Sequence, residues 1–271
     1  MSKIRILYVT SEINPFLEIT NEVAEFVRKL PQAMQEKGLE IRILMPRFGC
    51  INERKNRLHE VVRLSGINIS VGDEEKPLVI KVASIPTAKL QVYFIDNEDY
   101  FKRKSIFTDK DDNFFPDNDE RSIFFCKGVL ETVKKLGWAP NIVHCNDWMT
   151  ALIPLFLKTS YKEEPIFKNV KSIFSVYYAQ GFEHQFETDL AEKIIGENID
   201  AKQLEDLKNG GYNSFVKIGS KYADLVINAE TKEKKTVDGL IAGCGKSICI
   251  NDIEASEEIL DKYYELYTEL A

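Results

Sequence analysis

The strongest constraint on this fold is an alternation. Short, continuously apolar runs are separated by longer stretches of helical periodicity. Ile4–Thr10, Ile41–Met45, Leu90–Ile95, Asn141–Cys145, 171–176 and 224–228 are such runs. Continuous rather than alternating apolarity marks strands buried on both faces, as in parallel sheets. Parallel neighbours need a crossover between them, usually a helix. The first crossover starts near Asn21, with Thr20 or Asn21 as cap. It carries Val23, Val27, Leu30 and Met34 on one face, is expected to kink at Pro31, and stops at Gly38. The pattern predicts an α/β class: a Rossmann-like parallel sheet with helices on both faces.

One region breaks the alternation. Between 58 and 95, Val61–Leu64, Ile67–Ile69, Leu78–Val82 and Leu90–Ile95 are β-rich runs separated by polar turns. They read as an antiparallel insertion or edge that rejoins the sheet at Leu90–Ile95. A long acidic and aromatic loop, 96–118, follows. A helix opening at Asp119 carries Ile123, Cys126, Leu130 and Val133 inward. Helices at 149–159 and within 186–221, and a docking helix at 253–270, complete the chain. No repeat or linker stands out, so residues 1–271 read as one domain. The last helix has a wide stripe including Ile259, Tyr263, Leu266 and Leu270. That stripe suits docking on its own sheet, the face toward a second domain, or an oligomer contact.

The 271 residues carry a net charge of −7. That balance argues against a nucleic-acid or anionic-membrane surface, since both need clustered Lys and Arg. No apolar run approaches membrane-spanning length, and the N-terminus shows no signal-peptide pattern. Five scattered cysteines give neither a zinc pattern nor a disulfide framework. The expectation is a cytoplasmic protein with no metal and no cofactor.

Chemistry concentrates in Asn141–Met149, where a short strand runs straight into His144, Asn146, Asp147 and Trp148. Ligands of open α/β sheets bind just beyond the carboxyl ends of the strands. In that place Trp148 is a stacking face for a ligand and Asp147 an acceptor for its hydrogen bonds. Both also have a structural reading, Trp148 as core packing and Asp147 as cap of the next helix. Other features carry less. His144 and Cys145 are adjacent on a strand and point to opposite faces, so they do not form a nucleophile–base pair. Gly243–Ser247 lacks the spacing of a phosphate loop and reads as a surface turn before Ile248–Ile250. The acidic loop around Asp109, Asp111, Asp112, Asp117 and Asp119 lacks calcium-loop spacing and reads as solvated, with a helix cap. His59 and His184 each stand alone.

Several blocks, in order, resemble the N-terminal half of the glycogen/starch synthase family. They are Ile6–Glu12 with Pro15, Leu30–Pro31, Met45–Gly49, Asp99–Phe101, Asp111–Phe125, Trp138–Trp148, Ser172–Val176 with Gln180–Gly181, and Phe215–Gly219 with Tyr222–Asp224. Trp138–Trp148 is the strongest, similar to the family's His-x-His-Asp-Trp. The resemblance implies half of a GT-B fold, in which two Rossmann-like domains enclose the active site. It implies retaining transfer of glucose from ADP- or UDP-glucose to an α-1,4-glucan end, without a metal. It places His144, Asn146, Asp147, Trp148, Tyr177, Gln180 and Gly181 on the sugar side, and Glu12, Thr20 and Asn21 on the donor side.

Three departures qualify that implication. The family's Lys-x-Gly-Gly-Leu loop is replaced by Glu18–Val23, so acidic side chains stand where a diphosphate meets a lysine and bare amides. The family's Val-His-Asn becomes Val176-Tyr177-Tyr178. Tyrosine is a poor acid–base group near neutral pH. The sequence stops at 271, near the start of the family's interdomain linker at Asn251–Asp252, and the family's C-terminal domain is expected to be missing. Two functions therefore stand side by side. One is glucan glycosyl transfer, with a partner chain or self-association completing the cleft. The other is a non-catalytic α-glucan-binding or regulatory protein.

Overall fold

The computed structural model describes residues 3–17, 22–85, 88–178, 190–194, 198–208, 210–250 and 256–271. Strands β1 (Arg5–Val9), β2 (Glu40–Pro46), β3 (His59–Glu60), β4 (Ile67–Val71), β5 (Glu74–Ile85), β6 (Leu90–Asp96), β7 (Ile142–Asn146), β8 (Lys171–Val176), β9 (Leu225–Asn228) and β10 (Ser247–Cys249) form one ten-stranded sheet. The helices are α1 (Glu22–Glu36), α2 (Glu53–Asn56), α3 (Glu98–Phe101), α4 (Asn118–Leu136), α5 (Leu152–Lys158), α6 (Gly211–Tyr222), α7 (Lys234–Ile241) and α8 (Glu257–Leu270). The strand order is β10-β9-β8-β7-β1-β2-β6-β5-β3, with β4 also paired to β5. From β10 to β6 every neighbouring pair is parallel. β5 runs antiparallel to β6, and β3 and β4 run antiparallel to β5.

This order creates a switch point. From β1 the chain moves to β2, goes out to the antiparallel edge of β3, β4 and β5, and returns inward to β6 beside β2. α4 then carries it across to β7, on the other side of β1. The loops leaving β1 and β7 therefore diverge, opening a crevice at their carboxyl ends. The two strands register through Tyr8 beside His144 and Val9 beside Cys145.

Helices cover both faces. On one, Phe26 of α1 packs its ring 5.6 Å from Tyr263 of α8, and Tyr263 and Tyr267 lie over His144. On the other, Cys126 of α4 reaches the Met149 carbonyl. There α6 comes so close to the sheet that a Cβ on Gly219 would meet Phe174 Cε1 at 2.7 Å. The expected α/β sheet is the one that forms.

Several sequence expectations need correction. Val61–Leu64 is a turn, not a strand. Leu64 N–H donates back to Val61 O, Ser65 Oγ donates to the same carbonyl, and Val62 is 78% exposed. Of 186–221, the described part holds turns, a short 3-10 segment at Glu205–Leu207 and a regular helix only at Gly211–Tyr222. α8 begins at Glu257, capped by Ser256 Oγ accepting from Ile259 N–H. Asn251 to Ala255 lie outside the described residues.

The loop 96–118 is more than solvated chain. Asp117 sits at the start of α4 without a side-chain cap bond and instead takes two 2.6 Å hydrogen bonds from Arg103. The buried Arg121 donates to the Tyr100 carbonyl at 2.8 Å and the Ile106 carbonyl at 2.7 Å, and packs near Phe48, Phe101 and Phe115. Burial lowers its pKa to about 10. Asp119 is buried and paired with Lys193 at 2.7 Å. These bonds tie the loop to the N-terminal turn of α4.

Candidate functional site at the β1 and β7 exits

Asp147 is the first residue past β7, and its backbone is unusual. Its φ of 72 with ψ 163 is a region that L-residues rarely adopt. Such a conformation costs on the order of 1–3 kcal/mol and persists only where the surroundings fix it. Here five bonds do so, one of them from Thr150 N–H to the Asp147 carbonyl at 3.1 Å. Asp147 N–H donates to Ser175 O at 3.1 Å, and its carbonyl accepts from Thr150 Oγ1 at 2.7 Å. Oδ1 accepts from Trp148 N–H at 2.6 Å, and Oδ2 from Ser11 Oγ at 3.2 Å. Asp147 thus caps the following turn and faces the β1 exit at once.

Ser11 and Glu12 supply the opposing lip. Thr10 Oγ1 donates to Glu12 O at 2.9 Å and accepts from Glu12 N–H at 3.2 Å, bending the chain just after β1. Burial, with the nearby Glu12 charge, pushes the Asp147 carboxyl up to about 7. Near neutral pH it is therefore a mixture of acid and carboxylate, able both to donate and to accept a hydrogen bond. That suits the hydroxyls of an uncharged ligand better than a phosphate.

His144, Asn146 and Trp148 stand differently from what the sequence suggested. His144 is fully buried under α8, with Nδ1 bonded to the Tyr267 hydroxyl and Nε2 to Ser175 Oγ at 2.7 Å. Burial holds its pKa down at about 3, so it is neutral. Asn146 accepts from the Tyr8 hydroxyl at 3.1 Å and donates to Val9 O at 3.2 Å, joining β7 to β1. Trp148 is 3% exposed, its ring within 5.1 Å of Phe107 and 5.5 Å of Phe215. All three are buried in the chain as described. They form the floor that holds Asp147, because in a doubly covered sheet both strand faces are core.

Tyr177 lies one residue past β8 and is nearly buried. Its hydroxyl has no hydrogen-bond partner among the described residues, and its ionisation is opposed by burial, by Tyr8 and Tyr263, and by Asp147. It remains a protonated donor. Thr20, Asn21, Gln180 and Gly181, with Glu18 and His184, lie outside the described residues. Beside the site, the loops after β1, β2 and β6 enclose a hollow of about 420 Å³ that includes Phe16, Asn52, Lys55 and Lys104. No group of three or more metal-binding side chains occurs among the described residues. Sequence reasoning did not assign Ser11 or Ser175 to the site, and it placed Tyr263 on the stripe of α8 without its contact to His144. Ser11 alone carried a signal, its position directly after the first strand.

Known proteins are similar to this chain in sequence and in fold. The profile of the starch synthase catalytic domain matches residues 5–245. Glycogen synthase of Chlorobium luteolum (strain DSM 273 / BCRC 81028 / 2530) is 40% identical over 245 residues, which are 89% of this chain and 49% of that protein. Glycogen synthase of Chlorobium chlorochromatii (strain CaD3) is 48% identical over 184 residues, 65% of this chain and 37% of that protein. The catalytic domain of starch synthase IV from Arabidopsis thaliana, solved with ADP and acarbose bound, superposes with a TM-score of 0.73 at 19% identity. That superposition covers 92% of this chain and 51% of the plant one. The chain spans about half the length of the curated relatives it matches. No described helix is long and apolar enough to cross a membrane.

Proposed function

The chain belongs to the starch synthase catalytic-domain family, and from that we propose that it forms one wall of a glucan glycosyltransferase site. The reaction is transfer of glucose from ADP- or UDP-glucose to the end of an α-1,4-glucan. The observation that carries this reading is Asp147, held in a strained backbone at the switch point and facing Ser11 and Glu12. Strain of this kind is kept where it aims a group at a ligand. Asp147 and Tyr177 bind sugar hydroxyls, and the family resemblance gives Gln180 and Gly181 the same role. Glu12, Thr20 and Asn21 line the donor side. Stabilising charge as it develops takes groups preorganised around the reacting centre. Transfer therefore needs a second wall facing this one, from further chain, a partner chain or a second copy.

The test is radiolabelled glucose transfer from each nucleotide sugar to glycogen, with Asp147→Ala as control. Transfer that vanishes in the control is the expected result. Glucan binding without transfer would instead support a non-catalytic α-glucan-binding role. Transfer that survives in Asp147→Ala, or a chain that binds neither glucan nor nucleotide sugar, would overturn the reading.

A further inference from the structure

Glu230 follows β9, two residues past the strand end, and its carboxylate gathers four backbone amides. Oε2 accepts from Tyr178 N–H at 2.8 Å. Oε1 accepts from Thr231 N–H at 3.0 Å, Lys232 N–H at 2.8 Å and Glu233 N–H at 3.2 Å. The last three lead into α7, where unsatisfied amides make a seat for an anion. The first comes from a different strand exit, that of β8. These bonds hold the Glu230 carboxyl below its usual range despite its partial burial. Its seat is braced as well. Asn228 is buried, accepts from Glu230 N–H at 3.1 Å, and donates to Asp238 Oδ1 at 2.7 Å in α7.

The Tyr178 amide belongs to the same peptide unit as the Tyr177 carbonyl. That carbonyl accepts from the buried hydroxyl of Tyr212 in α6. Both polar ends of one peptide are therefore gripped, one by Glu230 and the other by Tyr212. Fixing this peptide fixes the direction in which Tyr177 leaves the backbone. Its hydroxyl is buried without a hydrogen-bond partner among the described residues, one position past the end of β8, whose Ser175 carbonyl accepts from Asp147 N–H.

We propose that Glu230 is a positioning residue: a resident anion that locks the Tyr177–Tyr178 peptide and so holds Tyr177 beside Asp147. This rests on the reading of Asp147 and Tyr177 as sugar contacts. A carboxylate held by four amides is replaceable in kind, because a small free carboxylate fits the seat that side-chain removal opens.

The experiment uses the whole chain and Glu230→Ala. Hydrogen exchange at the Tyr178 amide, maltoheptaose affinity and the thermal unfolding midpoint are measured with and without acetate, against chloride at equal ionic strength. In Glu230→Ala we expect Tyr178 to exchange at least about tenfold faster while amides within β8 stay protected. Maltoheptaose affinity is expected to fall about tenfold, and acetate, unlike chloride, to restore both. Should Glu230→Ala fail to fold, Glu230→Gln, which keeps one acceptor oxygen, takes its place, with an expected loss of protection at Tyr178. A folded variant with unchanged Tyr178 protection, or one that acetate does not restore, would overturn the clamp. A wild-type chain that binds no maltoheptaose would instead count against the proposed function, leaving exchange and acetate rescue to decide on Glu230.

Discussion

At the scale of single residues, Asp147 sets the pH behaviour of the fold. Its pKa is raised to about 7 in the folded chain, against about 3.9 for an unfolded aspartate. A carboxyl shifted upward favours folding when protonated. Its contribution is complete below the unfolded value and is lost as pH rises through about 7. Asp147→Asn keeps an acceptor for Trp148 N–H and removes the charge. We expect it to stabilise the fold by about 1–2 kcal/mol at pH 8 and to change little at pH 4, read from chemical denaturation at both. A variant that is destabilised at pH 8 would show that the charge is better solvated than its burial implies. His144 has the opposite shift. Its pKa is depressed to about 3, so its contribution is present above about 6.5 and lost as pH falls.

At the scale of elements, α8 shows how far a sequence can be read. Its apolar stripe is visible in the chain, and Tyr263 was placed within it. What the stripe faces is not, because helical periodicity fixes one side of a helix and says nothing of its partner. The structure seats that side on β7 and α1, with Tyr267 bonded to His144. Tyr267→Phe keeps the ring and leaves His144 Nδ1 buried without its partner. The expected cost is about 1–3 kcal/mol, measured by urea unfolding at neutral pH. No loss would mean that another hydroxyl takes over the bond.

The strands were the most legible elements, since a buried parallel strand is apolar throughout and ends sharply. The same property left His144 and Trp148 open between core packing and ligand contact. Where both faces are buried, alternation no longer separates inside from outside, and a polar residue at a strand end reads as exposed. Val61–Leu64 failed for a related reason. A short apolar run is β-like by composition, yet the Ser65 hydroxyl and Gly66 turn it back on itself.

At the scale of the whole molecule, the ten strands share one sheet, and two tryptophans report on distant parts of it. Trp138 precedes β7, its indole N–H donating to Glu40 at the start of β2. Trp148 follows β7, at the opposite end. If the described sheet unfolds as one unit, fluorescence of a Trp138→Phe variant and of a Trp148→Phe variant should give coincident urea transitions, matching circular dichroism. Separated midpoints would divide the chain into at least two cooperative parts.

The Ser11–Asp147 hydrogen bond joins residues 136 apart in sequence. During synthesis, β1 and β2 leave the ribosome long before β7. Until β7 arrives, β1 has a neighbour on one side and a bare row of amides and carbonyls on the other. An open edge of this kind recruits strands from other chains. The site therefore cannot form before β7 has arrived, and until then the half-sheet of the nascent protein carries an open edge that a chaperone would cover.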